Sequence, residues 1–243
     1  MGAPRFHVRD PLAAGLVGSE IALPDGVAHH ALRVLRLSTG DVITLFDGRG
    51  GEYAATLVRA GKRDAWARVE AFDPVDRESP LRATLVQAIT ATDTMDAIVR
   101  HAVELGVASI EPVVTERSAR FPSGAHGDKR LAHWREVAVS ACEQCGRNRI
   151  PGVAAPAVLS EWLRAPRTGI VFDAGAADGL PRSAPAGPFH VLVGAEGGLT
   201  AREIELAVGA GLRAVRAGPR IMRAETAALC ALAAVNVSWG DFR

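Results

Sequence analysis

The residues of this chain best suited to chemistry sit in two short segments. The first is Val191-Leu-Val-Gly-Ala-Glu-Gly-Gly-Leu-Thr200; the second is Ala217-Gly-Pro-Arg-Ile-Met-Arg-Ala-Glu-Thr-Ala227. The glycine spacing of the first is not the dinucleotide fingerprint, and no Gly-Lys-Ser/Thr follows to cradle a triphosphate. Glu196 points the same way. A carboxylate among the glycines repels a pyrophosphate but tolerates a neutral adenosine or a ligand carrying cationic groups. The second segment delivers Arg220, Arg223, Glu225 and Thr226. Taken alone, the first is equally well a tight turn. Arg223 and Glu225 are equally well an internal salt bridge, and Thr226 a helix cap. Two such segments so close together favour a ligand site.

Each segment needs an element before and after it. Short apolar runs, Phe189 to Val193 and Leu212 to Val215, read as buried strands leading into the loops. Thr200 and Glu203 have the spacing of a capping box, so a helix starts there, and an alanine-rich helix follows the second loop. Both loops are expected at the carboxyl ends of neighbouring strands, where open α/β sheets bind ligands. A third segment, Glu143-Gln-Cys-Gly-Arg147-Asn-Arg149, reads by itself as a helix C-cap with basic residues at the negative end of the dipole.

Upstream, residues 1 to 72 read as short strands: Arg5 to Val8, Glu20 to Leu23, Asp41 to Phe46, Glu52 to Val58 and Ala65 to Phe72. Turns at Asp47 to Gly51 and Ala60 to Asp64 suggest antiparallel hairpins, and a small barrel would leave no strand edge exposed. A helix over Val27 to Leu37 would place His29, Arg33 and Arg36 on one face and Ala31, Leu32, Val34 and Leu35 on the other. Such a basic face is ordinarily a solvated surface. Asp73 to Pro80 is polar and bounded by prolines, which marks a change of domain. Beyond it, strands at Ala83 to Thr90, Ala108 to Val114 and Gly169 to Asp173 alternate with helices at Met95 to Leu105 and Lys129 to Cys145. That is the βαβ pattern of a mostly parallel sheet; Ala174 to Pro188 reads as a loop.

The 243 residues carry 28 basic and 27 acidic side chains, so any affinity for nucleic acid must come from local clusters. No apolar run approaches the roughly 20 residues that span a bilayer, and no leader pattern opens the chain, which together suggest a cytoplasmic protein without a membrane partner. Cys142 and Cys145 continue the apolar stripe Leu131, Trp134, Ala138, Ala141 and read as core thiols rather than metal ligands. The seven histidines show no metal-ligand spacing, so no metal is expected and no general base stands out.

The two loops, with Glu143 to Arg147, Glu104-Leu-Gly-Val107 and His30-x-x-Arg33-Val-Leu-Arg36, resemble the small-subunit ribosomal RNA uridine-N3 methyltransferases of the knotted SPOUT superfamily. The resemblance runs over nearly the whole chain. It implies an α/β architecture: an amino-terminal PUA-like RNA-binding β-barrel over residues 1–73, then a SPOUT methyltransferase domain over 80–243 with a trefoil knot between about Phe172 and Thr226. It further implies transfer of a methyl group from S-adenosylmethionine to N3 of a uridine in 16S ribosomal RNA of the small subunit, by a homodimer. Cofactor binding would then fall to Val193, Gly194, Glu196, Gly197, Gly198, Ala217, Gly218, Ile221, Met222 and Thr226, the glycines permitting close backbone approach. Arg147, Arg223 and Glu225 would be catalytic, while His29, Arg33, Arg36, Arg147 and Arg149 would hold RNA. Two competing readings are a non-catalytic RNA-binding ribosome assembly factor and a SPOUT methyltransferase acting on transfer RNA. A lysine frequent in the family is absent from Thr90 to Asp96, and His101 stands where another basic residue is common.

Overall fold

The computed structural model describes residues 2–12, 14–62, 64–184 and 186–242. The chain divides into two compact units, one of residues 1–78 with 142–150, the other of 79–141 with 151–243.

The first unit is built on β1 (Arg5–His7), β2 (Glu20–Ala22), β3 (Val42–Phe46), β4 (Glu52–Ala60) and β5 (Ala65–Asp73), in the sheet order β1-β3-β4-β5-β2. β3–β4 and β4–β5 are the antiparallel hairpins that the glycine turns announce, whereas β1 joins β3 in parallel. Alternate residues point inward: Tyr53, Ala55 and Leu57 from β4, Ala65, Ala67 and Val69 from β5. They meet Phe6, Ile43, Leu45 and Leu23 in one core.

The helix expected over Val27 to Leu37 departs from its forecast. An α-helix, α1 (Asp25–His29), gives way to a π-helical turn at His30–Val34, and Arg36 ends it in the left-handed region at φ 57°. A π turn advances less than 100° per residue, so the apolar face drifts away from the core. Ala28 and Ala31 are buried, but Val34 and Leu35 are 60% and 43% exposed, contrary to the amphipathic reading.

Segment 142–150 is bound into this unit. Asn148, fully buried, accepts from Arg5 Nη2 at 2.5 Å and donates to the Val75 carbonyl at 3.1 Å. Gly50 and Ile150 exchange backbone hydrogen bonds with the segment and the β3–β4 turn, at 3.0 Å to the Asn148 carbonyl and 3.2 Å to that of Gly48.

The second unit holds β6 (Ala83–Ala88), α2 (Thr92–Glu104), β7 (Ser109–Val114), most of α3 (Ala125–Cys145), β8 (Gly152–Val153), β9 (Ala157–Val158), α4 (Leu159–Trp162), β10 (Gly169–Phe172), β11 (Phe189–Val193), α5 (Ala201–Gly209), β12 (Leu212–Val215) and α6 (Ala224–Trp239). Its sheet runs β12-β10-β11-β6-β7-β8, with β9 also on β7, and every pair is parallel. β6 is buried at all positions, as a strand covered on both faces must be. Val86, Val171 and Leu192 pack with Leu159, Trp162 and Ala207 of α4 and α5. α6 packs on α2 and on strands β6 and β11.

Contrary to the expectation from sequence, β11 and β12, which deliver the two loops, are not neighbours but flank β10. The crossover through α5 carries the chain past β10, so the carboxyl ends of three strands, rather than two, border the crevice where the strand order reverses.

Candidate active site

β11 ends at Val193, and the loop after it is fixed from several sides. Gly194 receives a 3.2 Å hydrogen bond on its carbonyl from Nε2 of Gln87, a wholly buried residue near the end of β6. A Cβ on Gly194 would lie 2.9 Å from the Gly198 carbonyl carbon, so the loop folds back too closely for any side chain there. Gly198 turns at φ 69°, and its N–H reaches the Ala195 carbonyl at 2.9 Å. Glu196 Oε1 accepts from the Ala91 N–H at 3.1 Å, so its carboxylate ties the loop to the start of α2. The expected capping box is formed: Thr200 and Glu203 satisfy each other's backbone at the start of α5. Glu203, 6% exposed, also accepts from the Glu116 N–H at 2.8 Å.

The second loop leaves β12, turns at Gly218 with φ 75°, and enters α6. Arg223, not Thr226, is the N-cap of that helix, and it makes no side-chain cap. Thr226 is exposed inside the first turn, so the capping role considered for it is not realised. Among the described residues no ion pair joins Arg223 to Glu225.

Between the loops lies a cavity of about 220 Å³ lined by Phe172 to Ala174 at the end of β10, Val193 to Leu199 at the end of β11, and Arg216 to Gly218, Arg220 to Met222, Ala224 and Ala227 around the second loop. It gathers every proposed cofactor residue except Thr226. Arg223 and Glu225 do not line it. Phe172 and Asp173 were missed in the sequence, although they end a recognisable apolar run; nothing local marks such a strand as the middle of three. The lining suits a zwitterionic ligand with an aromatic part. Ile221, 91% exposed, Met222, Leu199 and Phe172 offer apolar surface. Asp173 and Glu196 carry negative charge, Arg216 and Arg220 positive.

The remaining sequence-predicted residues belong to the first unit. Arg147 is 4% exposed and grips Glu78 with two prongs, Nε to Oε1 at 2.9 Å and Nη2 to Oε2. Burial works against its charge, but the Glu78 carboxylate more than offsets it and raises the guanidinium pKa. Arg149 is exposed and pairs with Asp76 at 2.9 Å. Glu143 Oε1 accepts from the His7 N–H at 2.9 Å. Cys142 is fully buried, and burial pushes its thiol up to about 12, consistent with a core thiol. His29 and Arg33, with Asp25, Ala28, Leu32, Lys62 and Asp64, line an open groove of about 800 Å³, where Arg33 also donates to the Lys62 carbonyl at 2.8 Å. Arg36, past the π turn, lies outside that groove. No cluster of three or more metal-ligating side chains occurs among the described residues, and no helix among them is long and apolar enough to cross a membrane.

A family model described as an RNA methyltransferase domain matches residues 77–236, and one described as an RNA methyltransferase PUA domain matches residues 23–70. The ribosomal RNA small subunit methyltransferase E of Mycobacterium tuberculosis is 34% identical over 229 residues, covering 89% of this chain and 86% of the relative. That of Buchnera aphidicola (from Schizaphis graminum) is 29% identical over 250 residues, covering 98% and 97%. Among solved structures, the ribosomal RNA small subunit methyltransferase E of Neisseria gonorrhoeae, bound to S-adenosylmethionine, superposes with a TM-score of 0.91 at 41% identity over 100% of both chains.

Proposed function

The chain belongs to the RNA methyltransferase family, and from that premise we propose that it methylates N3 of a uridine in 16S ribosomal RNA. It is an S-adenosylmethionine-dependent ribosomal RNA methyltransferase. The observation that carries the reading is the cavity into which both glycine-bearing loops and the end of β10 converge.

The bound cofactor supplies an electrophilic methyl group on a sulfonium. The protein's part is placement. Ile221, Met222 and Phe172 would give the adenine an apolar bed, and backbone groups of Gly194 to Gly198 and Ala217 to Gly218 would be available to its polar edges. Asp173 and Glu196 would favour the cationic portion, and Arg216 or Arg220 a carboxylate. N3 of uridine attacks only after losing its imide proton, so a nearby cation that stabilises the anion lowers the barrier. Holding N3 in line with the methyl group supplies much of the remainder.

Arg147, Arg223 and Glu225 are proposed for the substrate side on their match to the family motifs. For Arg147, reaching a nucleotide means giving up Glu78, so its removal should cost stability as well as turnover. His29, Arg33, Arg36, Arg147 and Arg149 are proposed as phosphate contacts; the groove lined by His29 and Arg33 supports this for those two. The closed barrel of residues 1–73, the trefoil knot within 80–243, cytoplasmic location and a homodimer belong to the same proposal. Support for the dimer comes from α6, where Cys230, Ala233, Ala234 and Val237 recur at helical spacing and form a face of small apolar residues outside the helix's buried set.

Titration calorimetry with S-adenosylmethionine tests the site. One molecule per chain is expected, with Gly197→Val weakening binding at least tenfold, a loss of about 1.4 kcal/mol; undiminished binding would move the site elsewhere.

A further inference from the structure

Arg117 belongs to none of the motifs that identify the site, yet it holds the cofactor loop. It follows β7 in the segment Thr115-Glu-Arg-Ser118, which closes on itself through the Thr115 N–H to Ser118 Oγ at 2.9 Å and the Ser118 N–H to the Thr115 carbonyl at 3.2 Å. This turn docks on the loop after β11 and on the start of α5 by two consecutive residues. Glu116 gives its N–H to the buried Glu203 carboxylate at 2.8 Å, and Arg117 Nη1 donates to the Gly197 carbonyl at 2.8 Å.

The same contact explains the glycine. A Cβ on Gly197 would stand 3.1 Å from Arg117 Cβ and 3.2 Å from its Cδ, closer than packed carbon atoms ordinarily come. Gly197 has no left-handed φ to require glycine. Its missing side chain makes room for the arginine stem lying across it. Gly197 lines the cavity, whereas Arg117 does not.

We propose that Arg117 is a positioning residue for the cofactor, acting through Gly197: its guanidinium fixes the peptide after Gly197, and with it the loop wall against which S-adenosylmethionine binds. This rests on the assignment of the cavity to that cofactor. Two features make the effect specific. The donor is charged, so the hydrogen bond is stronger than a neutral one, and Arg117 is exposed, so its loss leaves no buried group stranded.

The experiment is calorimetric binding of S-adenosylmethionine to wild type, Arg117→Ala, Arg117→Lys, Gly197→Ala and the double variant Arg117→Ala/Gly197→Ala, with thermal unfolding and steady-state kinetics on each. Wild type that fails to bind would overturn the cavity assignment itself; the inference about Arg117 is judged on wild type that binds. Arg117→Ala should weaken cofactor binding by about three- to tenfold, with KM for the cofactor rising and kcat and the unfolding midpoint nearly unchanged. Arg117→Lys, still able to donate to the carbonyl, should recover most of the affinity. Gly197→Ala crowds the stem of the arginine that makes the same hydrogen bond, so the double variant should lose no more than the worse single variant within about twofold. Unchanged affinity in Arg117→Ala, a lysine variant no better than alanine, or losses that multiply in the double variant would overturn the proposal.

Discussion

Removing the Arg147 side chain would strand Glu78, whose two oxygens it holds in a site where the arginine side chain is 5% and the glutamate side chain 22% exposed. Losing one partner of a buried pair costs about 3–5 kcal/mol, and the partial exposure of Glu78 puts Arg147→Ala near the lower figure. Urea unfolding should show that loss, with Arg147→Lys recovering only part of it because an ammonium cannot match both oxygens; equal stability of wild type and Arg147→Ala would refute it. In conditions where both proteins stay folded, Arg147→Ala should damage methyl transfer more than cofactor affinity if the residue orients the uridine. Glu52 makes a second prediction. Hydrogen bonds from Arg77 first, and then from Arg5 and Asn148, outweigh its burial and hold its carboxyl at about 2 instead of 4.5. Because the folded form is the stronger acid, its stabilising contribution is complete above pH 4.5 and disappears as pH falls toward about 2. Glu52→Gln should therefore flatten the fall of stability across that window, and parallel acid titrations would contradict it. These ion pairs were not legible in the sequence, because Arg147 and Glu78 are separated by 69 positions and nothing local announces their meeting.

At the scale of elements, the start of α5 was readable and the end of α1 was not, for reasons of range. The Thr200–Glu203 capping box depends on residues three apart, so spacing alone reveals it. Thr200→Ala should cost about 1 kcal/mol in unfolding free energy and also weaken cofactor binding, since the helix start anchors the loop; lost stability with full affinity would separate the two. The π turn at His30–Val34 keeps helical composition while changing the rotation per residue, so the periodicity that forecast Val34 and Leu35 inside gave the wrong face. Strands β6, β7, β10, β11 and β12 were each visible as apolar runs, but their lateral order was not, and the insertion of β10 between the two loop-bearing strands follows from the crossover alone. Gly169 shows how tight that insertion is: a Cβ there would lie 2.1 Å from the His190 carbonyl oxygen, so β10 passes β11 without space for a side chain.

For the whole molecule, the loop motifs carried the family, while knot, dimer and substrate lie beyond what periodicity can express. The outer small-residue face of α6 leads to a dimeric mass by light scattering at micromolar concentration; a monomer would defeat that part of the account. With a net charge of +1 the chain has no general attraction for RNA, so binding must come from local phosphate contacts and should weaken as salt rises. Methylation of uridine N3 in 16S ribosomal RNA is read out by incubating the protein and S-adenosylmethionine with small ribosomal subunits, and separately with free RNA, from a strain lacking the corresponding methylation, then digesting the RNA for nucleoside mass spectrometry. N3-methyluridine is expected in the 16S RNA of the subunits; methyl groups only on transfer RNA, or none at N3 of uridine, would rule the activity out.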